Sequence, residues 1–206
     1  MEQEILKGFI VIEGLDGSGT TTQLDNITSF LSNRNISHVR TFEPTDKETG
    51  LLIRQVLAGK IPLKQETIAY LFAADRNEHI HGEKDGIIEL LKSNRYVISD
   101  RYHFSSIAYQ SINSDPALVR ELNNRFPLPE YLIFIDVSVE ECQKRMKQRN
   151  GTKDIYDSIE YQRKVLENYN RAIDYFSDSS MKVVRINGMQ SAELVFQDIL
   201  EAVFSD

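Results

Sequence analysis

Five short apolar runs recur along the chain and predict β-strands. Each run is rich in Val, Ile, Phe or Tyr, and four of them are followed by a pattern typical of a helix. An unbroken apolar run such as Ile133-Phe134-Ile135 indicates a strand that is covered on both faces, which is the condition of a parallel sheet. The predicted strands cover residues 8–12, 38–42, 96–99, 131–136 and 182–186.

Apolar residues at helical spacing fill the stretches between the predicted strands. In the longest stretch, Gly82 and Gly86 predict a bend or a break near the middle. Ser138, followed three residues later by Glu141, has the form of a capping box and predicts the start of another helix. The predicted helices cover residues 20–31, 64 to about 92, 138 to about 150, 157–174 and 192–204.

The alternation of strands and helices predicts an α/β fold with a doubly wound, five-stranded parallel sheet. No repeat or linker interrupts the pattern, so we expect a single domain over residues 1–206. In such folds ligands bind at the carboxyl ends of the strands. The site is therefore expected among the residues that follow the strands, which are Glu13 onward, Phe42-Glu43-Pro44, Asp100-Arg101 and Asp136-Val137-Ser138.

The composition narrows the class of protein. Apolar residues make up 41% of the 206 residues, which is typical of a globular chain. No run reaches the ~18 apolar residues of a membrane span, and the first residues lack the apolar stretch of a signal peptide. Cys142 is the only cysteine, which excludes an internal disulfide. These features predict a cytoplasmic protein without a membrane partner, and a net charge of −7 argues against a nucleic-acid polymer as partner.

The turn after the first predicted strand carries the strongest chemical signal. It matches the P-loop motif G-x-x-x-x-G-K-[ST] except that Thr20 replaces the lysine. A strand, a glycine-rich turn and a helix N-terminus form an anion cradle from backbone N–H groups. Thr21 occupies the position whose hydroxyl binds Mg²⁺. The residues predicted to bind nucleotide phosphates are Gly14, Leu15, Asp16, Gly17, Ser18, Gly19, Thr20, Thr21 and Thr22.

Two other pairs of residues suit a nucleotide site. Asp100 follows the third predicted strand, where an acid can hold Mg²⁺ or its water, and the neighbouring Arg101 can bind a phosphate through two N–H groups. Phe72 and Arg76 are four residues apart and share a helix face, so a ring and a guanidinium could contact one base. From spacing alone, a core phenylalanine and a solvated arginine are the simpler interpretation.

Several strings resemble the thymidylate kinase family over nearly the full length of the chain. The most specific are Leu71-Phe72-Ala73-Ala74-Asp75-Arg76 and Asp100-Arg101-Tyr102, with Ser105-Ser106-Ile107-Ala108-Tyr109-Gln110 after them. Residues 9–19 and Glu43-Pro44 also match. The resemblance implies a P-loop nucleoside-monophosphate kinase fold and a homodimer. It also implies transfer of the ATP γ-phosphoryl group to dTMP with Mg²⁺, giving dTDP and ADP for dTTP synthesis.

The resemblance also implies a role for each matched residue. Phe72 stacks on thymine, and Arg76 bonds its carbonyl edge. Arg101 holds the dTMP phosphate, Asp16 approaches the sugar 3′-hydroxyl or the metal, and Tyr109 crowds the 2′ position. The implied residues are Asp16, Arg101 and Arg149 for catalysis, Asp16, Glu43, Phe72, Arg76, Arg101, Ser105, Ser106, Tyr109 and Gln110 for dTMP, and Thr21 and Asp100 for the metal.

The chain departs from the family pattern at two positions. Phe42 stands where the family often has arginine, and Thr20 removes a charge worth about 4 kcal/mol at ~4 Å and an effective dielectric of ~20. Such a loss slows transfer roughly 10²–10³-fold unless another cation compensates. We expect Arg149, in a lid segment at about 145–156, to supply that cation, with Arg145 and Lys153 as other candidates. A catalytically weak or silent nucleotide-binding homologue, or a kinase for another pyrimidine monophosphate, remains an alternative.

Overall fold

The sheet of the predicted fold is present in the computed structural model, which describes residues 3–148 and 158–205. Every described strand belongs to one sheet, and each adjacent pair is parallel. The strands are β1 (Ile5–Gly14), β2 (His38–Phe42), β3 (Tyr96–Asp100), β4 (Leu128–Asp136) and β5 (Lys182–Asn187). Their order in the sheet is β2-β3-β1-β4-β5. The five-stranded parallel α/β fold is therefore confirmed.

The central strand explains why the apolar runs are unbroken. β1 pairs with β3 on one side and β4 on the other, and it is buried continuously over its last six residues. The chain adds β2 and β3 on one side of β1 before it crosses to β4 and β5. The direction of winding thus reverses beside β1, and in doubly wound folds this reversal marks the ligand-binding edge.

β1 and β4 both begin three residues earlier than their apolar runs predict. Ile5 and Leu6 pair with Leu128 and Pro129, and the register of the ladder shifts before pairing resumes at Ile10. The Gly8 N–H donates to the Glu130 carboxylate at 2.7 Å within this irregular stretch. Charged residues and a proline interrupt the apolar pattern here, so periodicity alone misses the first part of both strands.

The helices alternate with the strands, and the predicted break after residue 81 is confirmed. One helix ends immediately before Gly82 and the next begins immediately after Gly86. Three helices that periodicity did not predict have only eight to ten residues each, and they cover Glu48–Leu57, His103–Gln110 and Pro116–Asn123. The described helices are α1 (Thr20–Asn33), α2 (Glu48–Leu57), α3 (Gln65–His81), α4 (Ile87–Lys92), α5 (His103–Gln110), α6 (Pro116–Asn123), α7 (Val139–Gln148), α8 (Ile159–Tyr175) and α9 (Ala192–Val203).

The predicted capping box at Ser138 is only half formed. The Ser138 hydroxyl accepts a hydrogen bond from the Glu141 N–H at 3.3 Å and so caps α7. The Glu141 carboxylate instead pairs with Lys144 and Arg145. The predicted end of this helix near residue 150 lies outside the described residues. Over the described ranges, no helix has both the length and the apolar character that crossing a membrane requires.

Candidate active site

The glycine-rich turn between β1 and α1 forms one wall of a cavity of about 550 Å³. Gly19 precedes α1 at φ 101°, and no side chain caps the first N–H groups of this helix. Those N–H groups therefore remain available as donors to an anion. Gly17 is also at positive φ, and a Cβ there would lie 2.6 Å from the Cys142 carbonyl oxygen of α7. At Gly19 an added Cβ would meet nothing within 4 Å, so only the backbone conformation restricts that position.

Thr20 lines this cavity at the place where the motif has lysine, and it is largely buried. Three arginines line the same cavity, namely Arg40 of β2, Arg54 of α2 and Arg101. The sequence analysis did not identify Arg40 or Arg54. A period-two signal was present for Arg40, since Arg40 and Phe42 alternate onto one face of their strand.

The two unpredicted arginines are held differently. Arg40 pairs with Asp25 of α1, and both side chains are about half exposed. Arg54 donates to the Pro44 carbonyl, and its guanidinium lies 5.4 Å from the centre of the Phe42 ring. Arg54 therefore occupies the space above the residue that replaces the family's arginine, and it lines a second cavity as well.

Of the cations predicted for the lid segment, Arg149 and Lys153 lie outside the described residues. Arg145 belongs to the last described turns of α7. Its guanidinium donates to the Ser18 carbonyl at 3.3 Å and to the Gly188 carbonyl at 3.0 Å. Arg145 lines a separate cavity of about 200 Å³ together with Thr22, so it faces a different side of the glycine turn from Thr20.

The two residues predicted for the metal lie together. The Thr21 hydroxyl donates to Asp100 Oδ2 at 2.9 Å, while Asp100 Oδ1 is buried without a hydrogen-bond partner among the described residues. An unpartnered carboxylate oxygen beside a hydroxyl fits Mg²⁺, which prefers oxygen ligands. The described part of the chain has no cluster of three or more acidic, histidine or cysteine side chains suited to a metal. Mg²⁺ is usually bound by one or two protein ligands together with substrate phosphates and water, which fits the pair Thr21 and Asp100.

The second cavity, of about 210 Å³, gathers all nine residues that were predicted for dTMP. They come from the turn after β1, the end of β2, the middle of α3, and the β3–α5 connection with α5. Asp16 and Arg101 line both this cavity and the larger one over the glycine turn. Two molecules bound in these cavities would therefore meet at Asp16 and Arg101.

Arg76 is a buried side chain with fixed partners, and it is 1% exposed. Its guanidinium donates to Glu43 Oε2 at 2.9 and 2.6 Å, to Ser106 Oγ at 3.0 Å, and to Asn123 Oδ1. The other Glu43 oxygen lies 2.9 Å from His79 Nδ1. The solvated arginine that spacing alone favoured is therefore wrong, and the partners Asn123 and His79 were not predicted.

Phe72 and Gln110 form other parts of the same cavity wall. Phe72 packs against Ile53, Val56 and Ile68, so it belongs to a small apolar cluster and to the cavity at once. Gln110 is buried, and its Oε1 has no hydrogen-bond partner among the described residues. A buried acceptor without a partner, at the edge of a cavity, suits a ligand that brings a donor.

Arg101 and Asp16 form an ion pair where the two cavities meet. Arg101 Nη2 donates to Asp16 Oδ1 at 2.5 Å, and the Tyr109 hydroxyl donates to Asp16 Oδ2 at 3.1 Å. Burial by itself lowers the pKa of Arg101. The electrostatic influence of its neighbours outweighs burial and holds this pKa well above the usual value; these neighbours are Tyr109, Asp16, Tyr169 and Glu13. Arg101 therefore remains a cation at the junction.

Behind Arg101 lies the carboxylate of Glu13, which was expected at the site as a residue at a strand end but was given no role there. Glu13 is fully buried at the end of β1, and burial raises its pKa to about 7, although Arg101 and hydrogen bonds from Ser105 and Tyr169 oppose the shift. Tyr169 lies within the helix predicted over residues 157–174 and was given no role in the site. The unusual feature in the sequence was an acidic residue that directly continues a buried apolar strand.

An anion-binding turn at the switch point of a parallel sheet, next to a second cavity that shares Arg54 and Arg101 with it, defines a P-loop phosphotransferase. The comparison with known families identifies which one. The thymidylate kinase family model matches residues 12–199, and the chain therefore belongs to the thymidylate kinase family. The resemblance on which the sequence analysis relied is thus confirmed.

Curated relatives agree with this assignment. The chain is 36% identical over 198 residues to a putative thymidylate kinase of Treponema pallidum, covering 95% of this chain and 94% of the relative. A probable thymidylate kinase of Methanococcus maripaludis is 38% identical over 200 residues, with 95% and 94% covered. A probable thymidylate kinase of Methanococcus aeolicus is 42% identical over 167 residues, with 81% and 79% covered.

Proposed function

We propose that the protein transfers the γ-phosphoryl group of ATP to dTMP and releases dTDP and ADP. The observation that carries this proposal is the shared position of Asp16 and Arg101 between two cavities. One cavity lies over an uncapped helix N-terminus, which suits a polyphosphate. The other combines an aromatic wall with buried polar groups, which suits a base and a sugar.

In this proposal the ATP phosphates lie along residues 14–22, and Thr21 and Asp100 hold the Mg²⁺ that neutralises them. The acceptor is a phosphate oxygen that is already an anion, so no general base is required. The chain supplies position and charge, which is how phosphoryl transfer is generally catalysed. Arg101 binds the acceptor phosphate at the junction, and Asp16 orients the arginine.

The acceptor base is recognised by groups that are ordered before it binds. Phe72 stacks on the ring, and Arg76, fixed by Glu43 and Asn123, donates to a base carbonyl. Gln110 Oε1 accepts from the ring N–H of thymine or uracil. Cytosine has an acceptor at that ring position and would leave Gln110 unpaired, a mismatch that such sites reject strongly. The Tyr109 ring, held beside Asp16, favours deoxyribose.

Arg54 takes over part of the charge that Phe42 and Thr20 do not supply. It lines both cavities and lies over the Phe42 ring, so its guanidinium can approach phosphates of either nucleotide. Arg149 of the lid segment remains in the proposal as the cation that stabilises the transferring group. The homodimer and the single domain also remain predictions.

A nucleotide panel tests the proposed activity. ADP formation is measured with Mg²⁺–ATP and, in separate reactions, dTMP, dUMP, UMP or dCMP. We expect the highest kcat/KM with dTMP, lower values with dUMP and UMP, and turnover with dCMP near background. Single-turnover formation of dTDP distinguishes a slow enzyme from a silent binding protein. No dTDP above background, with measured binding of both ligands, would contradict the proposal.

A further inference from the structure

The side-chain carboxylate of Glu13, at the end of β1, accepts four hydrogen bonds. Its Oε1 accepts from the N–H groups of Tyr102 at 2.9 Å and Ser105 at 3.1 Å. Its Oε2 accepts from the hydroxyls of Ser105 at 2.6 Å and Tyr169 at 2.9 Å. Four donors fill the acceptor capacity of one carboxylate. The group therefore fixes two hydroxyls at defined positions inside the protein.

Those two hydroxyls hold Arg101. Arg101 Nη1 donates to Ser105 Oγ and to the Tyr169 hydroxyl, both at 3.0 Å, while Nη2 reaches Asp16 at 2.5 Å. The backbone of Arg101 lies at φ 73°, a conformation that costs a non-glycine residue about 1–3 kcal/mol and persists only where the surroundings enforce it. One nitrogen of the guanidinium is thus fixed by the two hydroxyls and the other by Asp16, while Arg101 lines the cavity.

We propose that Glu13 and Tyr169 are positioning residues, which hold Arg101 in the orientation that binds the phosphate of the nucleoside monophosphate. The inference rests on the role that the proposed function gives to Arg101. Because the guanidinium is already oriented, phosphate binding does not have to order it, and such preorganisation increases affinity. Neither Glu13 nor Tyr169 lines the cavity of about 210 Å³ that is proposed to hold dTMP, here called the acceptor cavity. Both therefore act through the lining residues that they contact, Arg101 and Ser105.

The hydrogen bonds that link Glu13, Ser105 and Tyr169 to Arg101 form one network, and the tyrosines around it keep their hydroxyl protons. Burial raises the pKa values of Tyr102, Tyr109 and Tyr169 well above their usual range, so all three hydroxyls keep their protons and can donate. Among the described residues, Arg101 and Asp16 are charged groups that face the network, and Glu43 and Arg76 act on Tyr102.

Helix α8 stabilises the wall of the acceptor cavity through hydrogen bonds from its side chains. Besides Tyr169, it contributes the Tyr161 hydroxyl, which donates to the Tyr109 carbonyl at 2.9 Å. Asn168 Nδ2 donates to the Ala108 carbonyl at 3.0 Å. Three polar side chains of α8 therefore fix α5 and the Arg101 guanidinium relative to β1. A positioning role for Tyr169 follows from the same packing.

The difference between dTMP and thymidine affinity isolates the phosphate contact. Calorimetric titration of each ligand is carried out on the wild type, Tyr169→Phe and Glu13→Gln. We expect both variants to lower the dTMP preference about tenfold, as for lost hydrogen bonds to a charged group, with thymidine affinity unchanged. The KM for dTMP should rise while the KM for ATP stays constant. The matched control is Tyr175→Phe on the same helix. The Tyr175 hydroxyl accepts a hydrogen bond from Asn124 Nδ2 at 3.2 Å, and its removal should change the affinity for neither dTMP nor thymidine.

Each alternative result has a distinct meaning. Equal weakening of dTMP and thymidine by Tyr169→Phe would show a general structural role and overturn the inference, as would an unchanged preference. Tyr169→Phe removes one oxygen atom and decides the matter alone if Glu13→Gln does not fold. Arg101→Gln serves as the reference. If the wild type shows no preference for dTMP, or Arg101→Gln retains it, the proposed function of Arg101 fails instead.

Discussion

The acceptor cavity and the larger cavity over the glycine turn, here called the donor cavity because it is proposed to hold the ATP phosphates, meet at Arg101. The two cavities are built in different ways. The acceptor cavity is lined by side chains whose partners are already in place, such as Arg76 with Glu43 and Asn123. The donor cavity combines a backbone turn and a helix N-terminus with three arginines, and the Arg40–Asp25 ion pair at its edge is half exposed. A buried network selects one base and sugar, whereas backbone donors recognise any polyphosphate. The lysine that Thr20 replaces therefore falls in the half of the site that also has main-chain donors for phosphate.

The largest expected effect compares the buried ion pair with the exposed one. Arg76→Met leaves Glu43 buried without its main partner, so we expect the free energy of unfolding to fall by roughly 3–5 kcal/mol. The same substitution at the exposed pair, Arg40→Met, should cost less than about 1 kcal/mol. Urea denaturation of both variants measures the difference. Equal losses would remove the contrast between the two cavities.

A somewhat smaller effect concerns the pH dependence of stability. Glu13 has a pKa of about 7 in the folded protein and 4.5 as its unperturbed value, so the folded state binds more protons between these limits. Wild-type stability should therefore fall relative to Glu13→Gln as pH rises from 4.5 to 7, by about 3 kcal/mol at 1.36 kcal/mol per unit. Above pH 7 the difference should be constant. Denaturation of both proteins at several pH values measures the difference in unfolding free energy between the wild type and Glu13→Gln. A difference that does not change with pH would contradict the prediction.

The smallest effect concerns the charge missing at Thr20. Since Arg40 lines the donor cavity and its exposed pairing with Asp25 is weak, we expect it to pair with ATP phosphates when they bind. Arg40→Met should lower kcat/KM for ATP about tenfold, or about 1.4 kcal/mol, and leave AMP binding unchanged. Thr20→Lys should restore the activity of the Arg40→Met variant.

The control for the Arg40 prediction is Arg34→Met. Arg34 lies over the Phe30 ring near the end of α1, away from both cavities. The Arg34→Met substitution should not change kcat/KM for either nucleotide. If Thr20→Lys does not rescue Arg40→Met, the two positions do not act on the same phosphates.

Sequence reasoning reached the fold and most of the acceptor site for separate reasons. Continuous burial makes strands such as the last six residues of β1 visible as apolar runs, and the strings around Phe72 and Asp100 are specific to one family. The contacts that it missed join distant parts of the chain. Glu13 and Tyr169 are 156 residues apart, and neither periodicity nor spacing reports such a contact. Arg54 was missed because α2 is short and its position over Phe42 depends on the fold.

The glycines of the phosphate-binding turn set different limits for protein engineering. At position 17 any L-residue would have to displace the main chain of α7, so no library of neighbouring side chains can rescue a substitution there. At position 19 the obstacle is chirality, because the space is open but φ is 101°. A D-alanine introduced there by chemical ligation prefers positive φ and should preserve the turn, whereas L-alanine should strain it.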